Sequence, residues 1–125
     1  MPKKNLIIFS IISIVFFLDF VTKNYAITNL LLNHSEAINT YLNFTLAFNY
    51  GAAFSFLSDA GGWQRWFFVI FSIIVVFFIS YILIKDKESE YISYSLVLGG
   101  ALGNLYDRIF LGYVIDFIEF HYNDF

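Results

Sequence analysis

Apolar residues form three long segments along the chain, and most charged side chains lie outside them. The segments cover about residues 6–21, 66–84 and 91–110. A helix needs about 20 predominantly apolar residues to cross roughly 30 Å of hydrocarbon. The second segment is uncharged, the first carries one charge near its end, and the third is interrupted by polar residues near its end. The pattern predicts three transmembrane helices.

The first segment is similar to a secretory signal peptide, because Lys3 and Lys4 precede an apolar run. A signal peptide ends at a small-x-small cleavage site. Here Asp19 is followed by the residues Phe-Val-Thr-Lys at 20–23, which contain no such site. We therefore interpret the segment as an uncleaved helix.

The connection between the first two helices, about residues 23–65, has structure of its own. Residues 42–48 have a strand-like composition in which Asn43 and Thr45 alternate with apolar residues. Residues 49–57 are small and aromatic and suit a short helix at the membrane interface. We predict a small β-rich loop region followed by a short interfacial helix.

Basic residues set the predicted orientation. They lie before the first helix and between the second and third, at Lys3, Lys4, Lys85 and Lys87. Positive charge of this kind favours the cytoplasmic side of a membrane. We therefore predict a cytoplasmic N-terminus, with the loop 23–65 and the C-terminal segment 112–125 on the outer face.

The composition agrees with an all-α integral membrane protein of one domain. Of the 125 residues, 59% are hydrophobic and 14% are charged, and 17 are Phe. A soluble domain of this size cannot bury so much apolar surface, and a disordered chain needs low hydrophobicity. The net charge of −3 offers no basic excess for nucleic acid, and the absence of Cys excludes thiolate chemistry.

Ionisable side chains at membrane depth cost several kcal/mol and commonly serve function. Asp19 and Lys23 are one helical turn apart, so they form either a functional pair or the charged end of a helix at the interface. Asp116 is a lone acid among bulky apolar residues, which favours a proton-carrying carboxyl, although a solvated loop acid is the alternative. Asn49 precedes a glycine break and suits a helix cap.

The end of the third apolar segment contains the most specific group of candidate functional residues. Gly99 and Gly103 form a small-xxx-small surface that lets another helix approach closely. Asn104, Asp107 and Arg108 follow at helical spacing on an adjoining face. They predict either a functional site or a structural polar clamp, and both interpretations are compatible.

Other chemistries fit less well. His34 and His121 are isolated and have no metal-ligand spacing. No Ser-His or Ser-Lys pairing and no Gly-rich phosphate loop is evident. With cysteine, metal and serine chemistry disfavoured, we therefore expect carboxylate chemistry.

Four segments in order resemble the bacterial lipoprotein signal peptidases (signal peptidase II, or prolipoprotein signal peptidase). They are Asp-Phe-Val-Thr-Lys at 19–23, Asn-Tyr-Gly-Ala-Ala-Phe-Ser at 49–55, Gly-Gly-Ala-Leu-Gly-Asn-Leu-Tyr-Asp-Arg at 99–108 and Gly-Tyr-Val-Ile-Asp-Phe at 112–117. The resemblance covers essentially the whole chain, and the third segment is highly specific alone.

The resemblance implies a four-helix membrane aspartic endopeptidase of the bacterial inner membrane. It cuts diacylglyceryl-modified prolipoproteins before the lipidated cysteine, at the outer face. Asp116 would be one member of the catalytic dyad and Asn49 would contact the substrate. Asn104, Asp107 and Arg108 would hold the site and the substrate main chain. Asp19 and Lys23 would brace the first helix near the site.

One departure from the family pattern bears on activity. The resemblance places the second catalytic aspartate in an Asn-x-Ala-Asp segment that opens a fourth helix, and these 125 residues contain no such segment. Asp124 aligns ahead of it, and Glu119, one helical turn from Asp116, matches no catalytic position. The alternatives are a peptidase whose sequence continues, or a catalytically inactive homologue that binds or packs in the membrane. We expect the 125-residue chain alone to be inactive.

Overall fold

The computed structural model of the chain describes residues 3–30, 35–37, 42–50, 63–85 and 90–120. Within these ranges lie three long helices and a small sheet. The elements in chain order are α1 (Lys3–Asn29), β1 (Ser35–Ala37), β2 (Leu42–Asn49), α2 (Gln64–Lys85), α3 (Tyr91–Phe110) and β3 (Val114–Phe120).

The helices form where the apolar segments predicted them. By length and composition, α1 and α2 are long and apolar enough to cross a membrane. Their exposed faces carry large apolar side chains, such as Phe17, Ile70 and Phe77, as expected for surfaces in contact with lipid. Helix α3 is 20 residues long, which is enough for a span, and its crossing of the membrane stays a prediction.

Helix α1 continues well beyond the predicted apolar span. The sequence pattern placed a loop from about residue 23, whereas α1 runs to Asn29. Polar side chains in this part bond back to carbonyls one turn earlier, so the helix tolerates residues that usually favour loops. These bonds join Thr22 to Leu18, Asn24 to Phe20, Thr28 to Asn24, and Asn29 to Tyr25. The end of the apolar segment is therefore not the end of the helix.

Helix α3 packs against both α1 and α2. Towards α1 it presents Gly99, where an added Cβ would lie 2.7 Å from the Cβ of Val15. The surface predicted from Gly99 and Gly103 therefore lies in close contact with α1. Towards α2, the buried side chains of Ile79 and Leu83 pack with Leu98.

The three strands form one antiparallel sheet in the order β1-β2-β3. Strand β2 covers the segment 42–48 that was predicted to be a strand. Strand β3 was not predicted, and because it is extended, Glu119 is not one helical turn from Asp116. Asn49 is the last residue of β2. The rest of the predicted interfacial helix, residues 51–57, lies outside the described residues.

The sheet packs on the C-terminal end of α1, in the part that continues beyond the predicted span. Ala26 forms a buried cluster with Leu46 of β2 and Ile115 of β3. Four partly buried side chains surround them: Leu30, Phe48, Tyr113 and Phe117. This contact brings β3 beside the end of α1, and with it Asp116 into the neighbourhood of Lys23.

Candidate active site

The ammonium group of Lys23 is the centre of a buried polar network between α1 and α3. Its Nζ lies 2.8 Å from the Asp19 carboxylate and 2.9 Å from that of Asp107. It also donates to Oδ1 of Asn104 at 3.1 Å. An ammonium has three donor hydrogens, so three partners satisfy it completely. The Lys23 side chain is 7% exposed, which makes this pairing necessary.

The local sequence explains how four polar groups meet. Asp19 and Lys23 are four residues apart on α1, and Asn104 and Asp107 are three apart on α3, so each pair shares one helical face. Gly103 lets the two faces approach, because an added Cβ there would collide with the Asp19 carboxylate. The glycine is therefore part of the site as well as of the helix packing.

Asp107 connects this network to β3. Its Oδ2 accepts a hydrogen bond from the backbone N–H of Ile115 at 3.2 Å. Its backbone carbonyl accepts from the N–H groups of Leu111 and Gly112 at 2.7 and 3.1 Å, which closes the end of α3. Gly112 has φ of +87°, a conformation that favours glycine. One buried aspartate thus fixes both the helix end and the start of the strand that carries Asp116.

Arg108 lies on the other flank of α3, since successive residues on a helix are about 100° apart. Its Nη1 donates to the hydroxyl of Ser72 at 3.2 Å, and its guanidinium carbon lies 5.5 Å from the centre of the Phe68 ring. A cavity of about 200 Å³ here is lined by both Arg108 and Asn104. The cluster predicted as one face is therefore divided: Asp107 serves α1 and β3, and Arg108 serves α2.

Asp116 lies on the sheet opposite Ala47, and Asn49 is its diagonal neighbour through Val114. A bulge in β2 produces this arrangement, because three steps from Phe44 to Ala47 correspond to two steps on β3. Side chains alternate between faces along a strand. Without the extra residue, Phe48 would stand opposite Val114 instead of Asn49. The bulge therefore puts the amide on the face of the carboxyl.

The surroundings of Asp116 change its proton affinity. Desolvation raises the pKa of the Asp116 carboxyl above its ordinary value, and the negative charge of Asp107 acts in the same direction. The positive charges of Lys23 and Arg108 and a hydrogen bond with the Asn49 side chain oppose the rise without cancelling it. The residue is nevertheless exposed on one side. The result is an accessible carboxyl that holds its proton to higher pH than usual.

Sequence reasoning missed Arg65, the second residue of α2. Its Nε donates to the carbonyl of Arg108 at 3.1 Å, and its Nη2 donates to that of Ile109 at 2.5 Å. A basic residue just before an uncharged span was the available signal, and it was read simply as the boundary of the membrane segment. The contact with α3 could not be inferred from that position alone.

The structure thus brings the predicted residues into two connected groups. Asp19, Lys23, Asn104 and Asp107 form the buried network, and Asn49 and Asp116 meet on the sheet. Arg108 adds charge from the flank of α2.

The model of the signal peptidase (SPase) II family matches residues 11–125 of the chain. The chain belongs to the signal peptidase II family. It is 51% identical over 115 residues to the lipoprotein signal peptidase of Teredinibacter turnerae, with 89% of this chain and 68% of that protein covered. It is 50% identical over 120 residues to the lipoprotein signal peptidase of Dichelobacter nodosus, with 94% and 77% covered.

Solved structures agree with this membership of the signal peptidase II family. A bacterial membrane enzyme solved by the in meso method at 2.3 Å resolution superposes with a TM-score of 0.79 at 36% identity. The match covers 91% of this chain and 70% of that one. A second such structure, at 1.9 Å resolution, gives a TM-score of 0.74 at 36% identity, with 90% and 73% covered. The chain is therefore a transmembrane member of a protease family that processes lipoproteins.

Proposed function

We propose that this protein is an aspartic endopeptidase that removes signal peptides from diacylglyceryl-modified prolipoproteins, cutting before the lipidated cysteine. Family membership supports the substrate class. The observation that carries the aspartic mechanism is Asp116, an exposed carboxyl with a raised pKa, bonded to Asn49 and anchored through Ile115 to a buried network.

In the proposed reaction two carboxyls share one proton, because like charges held close together cannot both ionise comfortably. The ionised member takes a proton from the attacking water, and the protonated member polarises the peptide carbonyl and then protonates the leaving amine. Asp116 is one member. The second is an aspartate of the family's Asn-x-Ala-Asp segment, which these 125 residues do not contain. No metal or cofactor takes part.

The other site residues have supporting roles in this proposal. Lys23, with Asp19, Asn104 and Asp107, holds α1 against α3 and fixes the backbone beside Asp116. Arg108 supplies positive charge near the carboxyl, and Asn49 orients the carboxyl and contacts the substrate. The small sheet suits an extended peptide, which a protease must bind in order to present one bond.

We further propose that α3 is a third span, with the N-terminus in the cytoplasm and the site at the outer face of the inner membrane. Two basic residues on the predicted cytoplasmic side support this orientation: Lys4 near the start of α1 and Lys85 at the end of α2. Reporter fusions after Ile84 and after Phe125 test this orientation. We expect a cytoplasmic signal from the first and a periplasmic signal from the second; a cytoplasmic signal from the second contradicts the topology.

The function is tested in a chimera that supplies the second carboxylate. Residues 1–125 are joined to the part of the Teredinibacter turnerae relative that follows the region matching this chain. Cleavage of a diacylglyceryl-modified precursor is measured in proteoliposomes. Asp116→Asn keeps the shape of the side chain but removes its proton chemistry, so we expect cleavage to be abolished while the amount of folded protein is unchanged.

Glu119→Gln is the matched control, because it removes a carboxylate from the same strand at a position outside the proposed dyad. We expect it to cleave normally. Loss of cleavage in Glu119→Gln, or normal cleavage in Asp116→Asn, would contradict the assignment of the dyad.

A further inference from the structure

The guanidinium of Arg65 lies over the C-terminal end of α3, although Arg65 belongs to the start of α2. It donates to the carbonyls of Arg108 and Ile109. The last carbonyls of a helix have no partner within the helix, and positive charge is favoured there. Arg65 is therefore a cap supplied by a neighbouring helix.

The same side chain covers the turn that follows α3. An added Cβ at Gly112 would lie 3.4 Å from Cδ, Nε and Nη1 of Arg65, so the arginine occupies the space beside this glycine towards which a side chain would point. Its guanidinium carbon also lies 4.8 Å from the centre of the Trp66 ring. Two carbonyls and an aromatic ring thus hold the planar group beside the turn.

Two tethers therefore define the path from α3 into β3. Asp107 binds the backbone N–H of Ile115, and Arg65 binds the carbonyls of Arg108 and Ile109 and lies beside Gly112. Asp116 is the next residue after Ile115, so its position depends on both tethers. Asp107 binds from the side of α1, whereas Arg65 binds from the side of α2.

We propose that Arg65 is a positioning residue for Asp116, which it places by fixing the turn between α3 and β3. This inference rests on the proposed function, in which Asp116 is catalytic. Without Arg65, water replaces the guanidinium at the two carbonyls, and the bonds of the turn to Asp107 still form but open more often. The protein stays folded, but the carboxyl is held less firmly. A displacement of about 1 Å at a reacting group costs about 100-fold in rate.

Hydrogen exchange of the chain in lipid nanodiscs tests the structural half of the proposal. In Arg65→Ala we expect the amides of Leu111, Gly112 and Ile115 to exchange about 10-fold faster or more, with amides in the middle of α2 unchanged. Lys85→Gln is the matched control, since it removes a basic residue from the opposite end of the same helix. Unchanged exchange at all three amides in Arg65→Ala overturns the proposal.

Steady-state cleavage by the chimera tests the functional half. We expect Arg65→Ala to lower kcat about 10- to 100-fold and to leave KM within about 2-fold. Arg65→Lys keeps the charge but lacks the planar guanidinium that reaches two carbonyls. Its kcat should therefore lie between that of the unsubstituted chimera and that of Arg65→Ala. Normal kcat in Arg65→Ala, or a loss in both variants that follows the amount of folded protein, overturns a positioning role. Asp116→Asn is assayed in parallel: if it cleaves normally, the proposed function has failed, whatever Arg65 does.

Discussion

The buried network around Lys23 and the sheet surface around Asp116 differ in how their charged groups are paired and exposed. In the network, Lys23 and Asp107 are each 5% exposed, and Lys23 is matched by two carboxylates and an amide. On the sheet, Asp116 is exposed on one side, and desolvation raises the pKa of its carboxyl despite the positive charges of Lys23 and Arg108. Asp107 links the two regions, because it belongs to the network and accepts a hydrogen bond from the N–H of Ile115.

The difference separates stability from chemistry. A buried ion needs all its partners, because an unpaired charge in a low-dielectric interior is strongly destabilising. An exposed carboxyl can gain or lose a proton without such a cost, which a general acid or base requires. Substitutions in the network should therefore act on folding, and substitutions on the sheet surface should act on cleavage.

The largest expected effect concerns the carboxyls of the proposed dyad. The 125-residue chain should cleave a lipid-modified precursor at least about 10⁴-fold more slowly than the chimera, because one carboxyl cannot serve as both base and acid in one turnover. Precursor conversion in proteoliposomes measures this at equal amounts of folded protein. Similar rates would mean that Glu119 or Asp124 completes the site.

The next effect isolates the network. Lys23→Met removes the ammonium and leaves the buried carboxylate of Asp107 and the partly exposed carboxylate of Asp19 without their partner, so the free energy of unfolding should fall by about 3–5 kcal/mol. Unfolding in detergent measures it. The double variant with Lys23→Met and Asp107→Asn should lose less unfolding free energy than the two single variants lose in sum, since the two side chains are coupled. Strict additivity would argue against a single network.

Two glycines of α3 provide a matched pair for the close approach to α1. Gly103→Ala puts a Cβ against the Asp19 carboxylate and should cost about 1–3 kcal/mol of unfolding free energy. At Gly100 an added Cβ meets nothing within 4 Å, and alanine favours a helix, so Gly100→Ala should be neutral or slightly stabilising. Equal effects in unfolding experiments would contradict the packing described for α3.

The smallest effect is a pH dependence from Asp116. The pKa of this carboxyl is raised above its ordinary value of 3.8, so the folded protein binds the proton more tightly than the unfolded chain. Its contribution to stability is therefore complete below the ordinary value and is lost as pH rises through the raised one. In Asp116→Asn this part of the pH dependence should disappear. Thermal unfolding of both proteins from about pH 3 to pH 8 measures it, and identical profiles would refute the shift.

Much of the molecule could be predicted from the sequence. Long apolar segments form helices in any bilayer, since the backbone must satisfy its own hydrogen bonds there. The spacings of Asp19 with Lys23, and of Gly99 with Gly103, specify local helical faces, so the ion pair and the close approach followed from them. The four matched segments predicted the family, because each combines specific residue types at a fixed spacing.

Contacts between distant segments were decided by the tertiary structure. Helix α1 runs on to Asn29 because Ala26 packs against the sheet, which hydropathy alone does not reveal. The bulge in β2 puts Asn49 beside Asp116, and one residue of register decides which face a side chain takes. Arg65 reaches α3 across 43 residues of sequence. Helical periodicity is local, whereas strand register and caps from other helices depend on segments that meet only when the chain is folded.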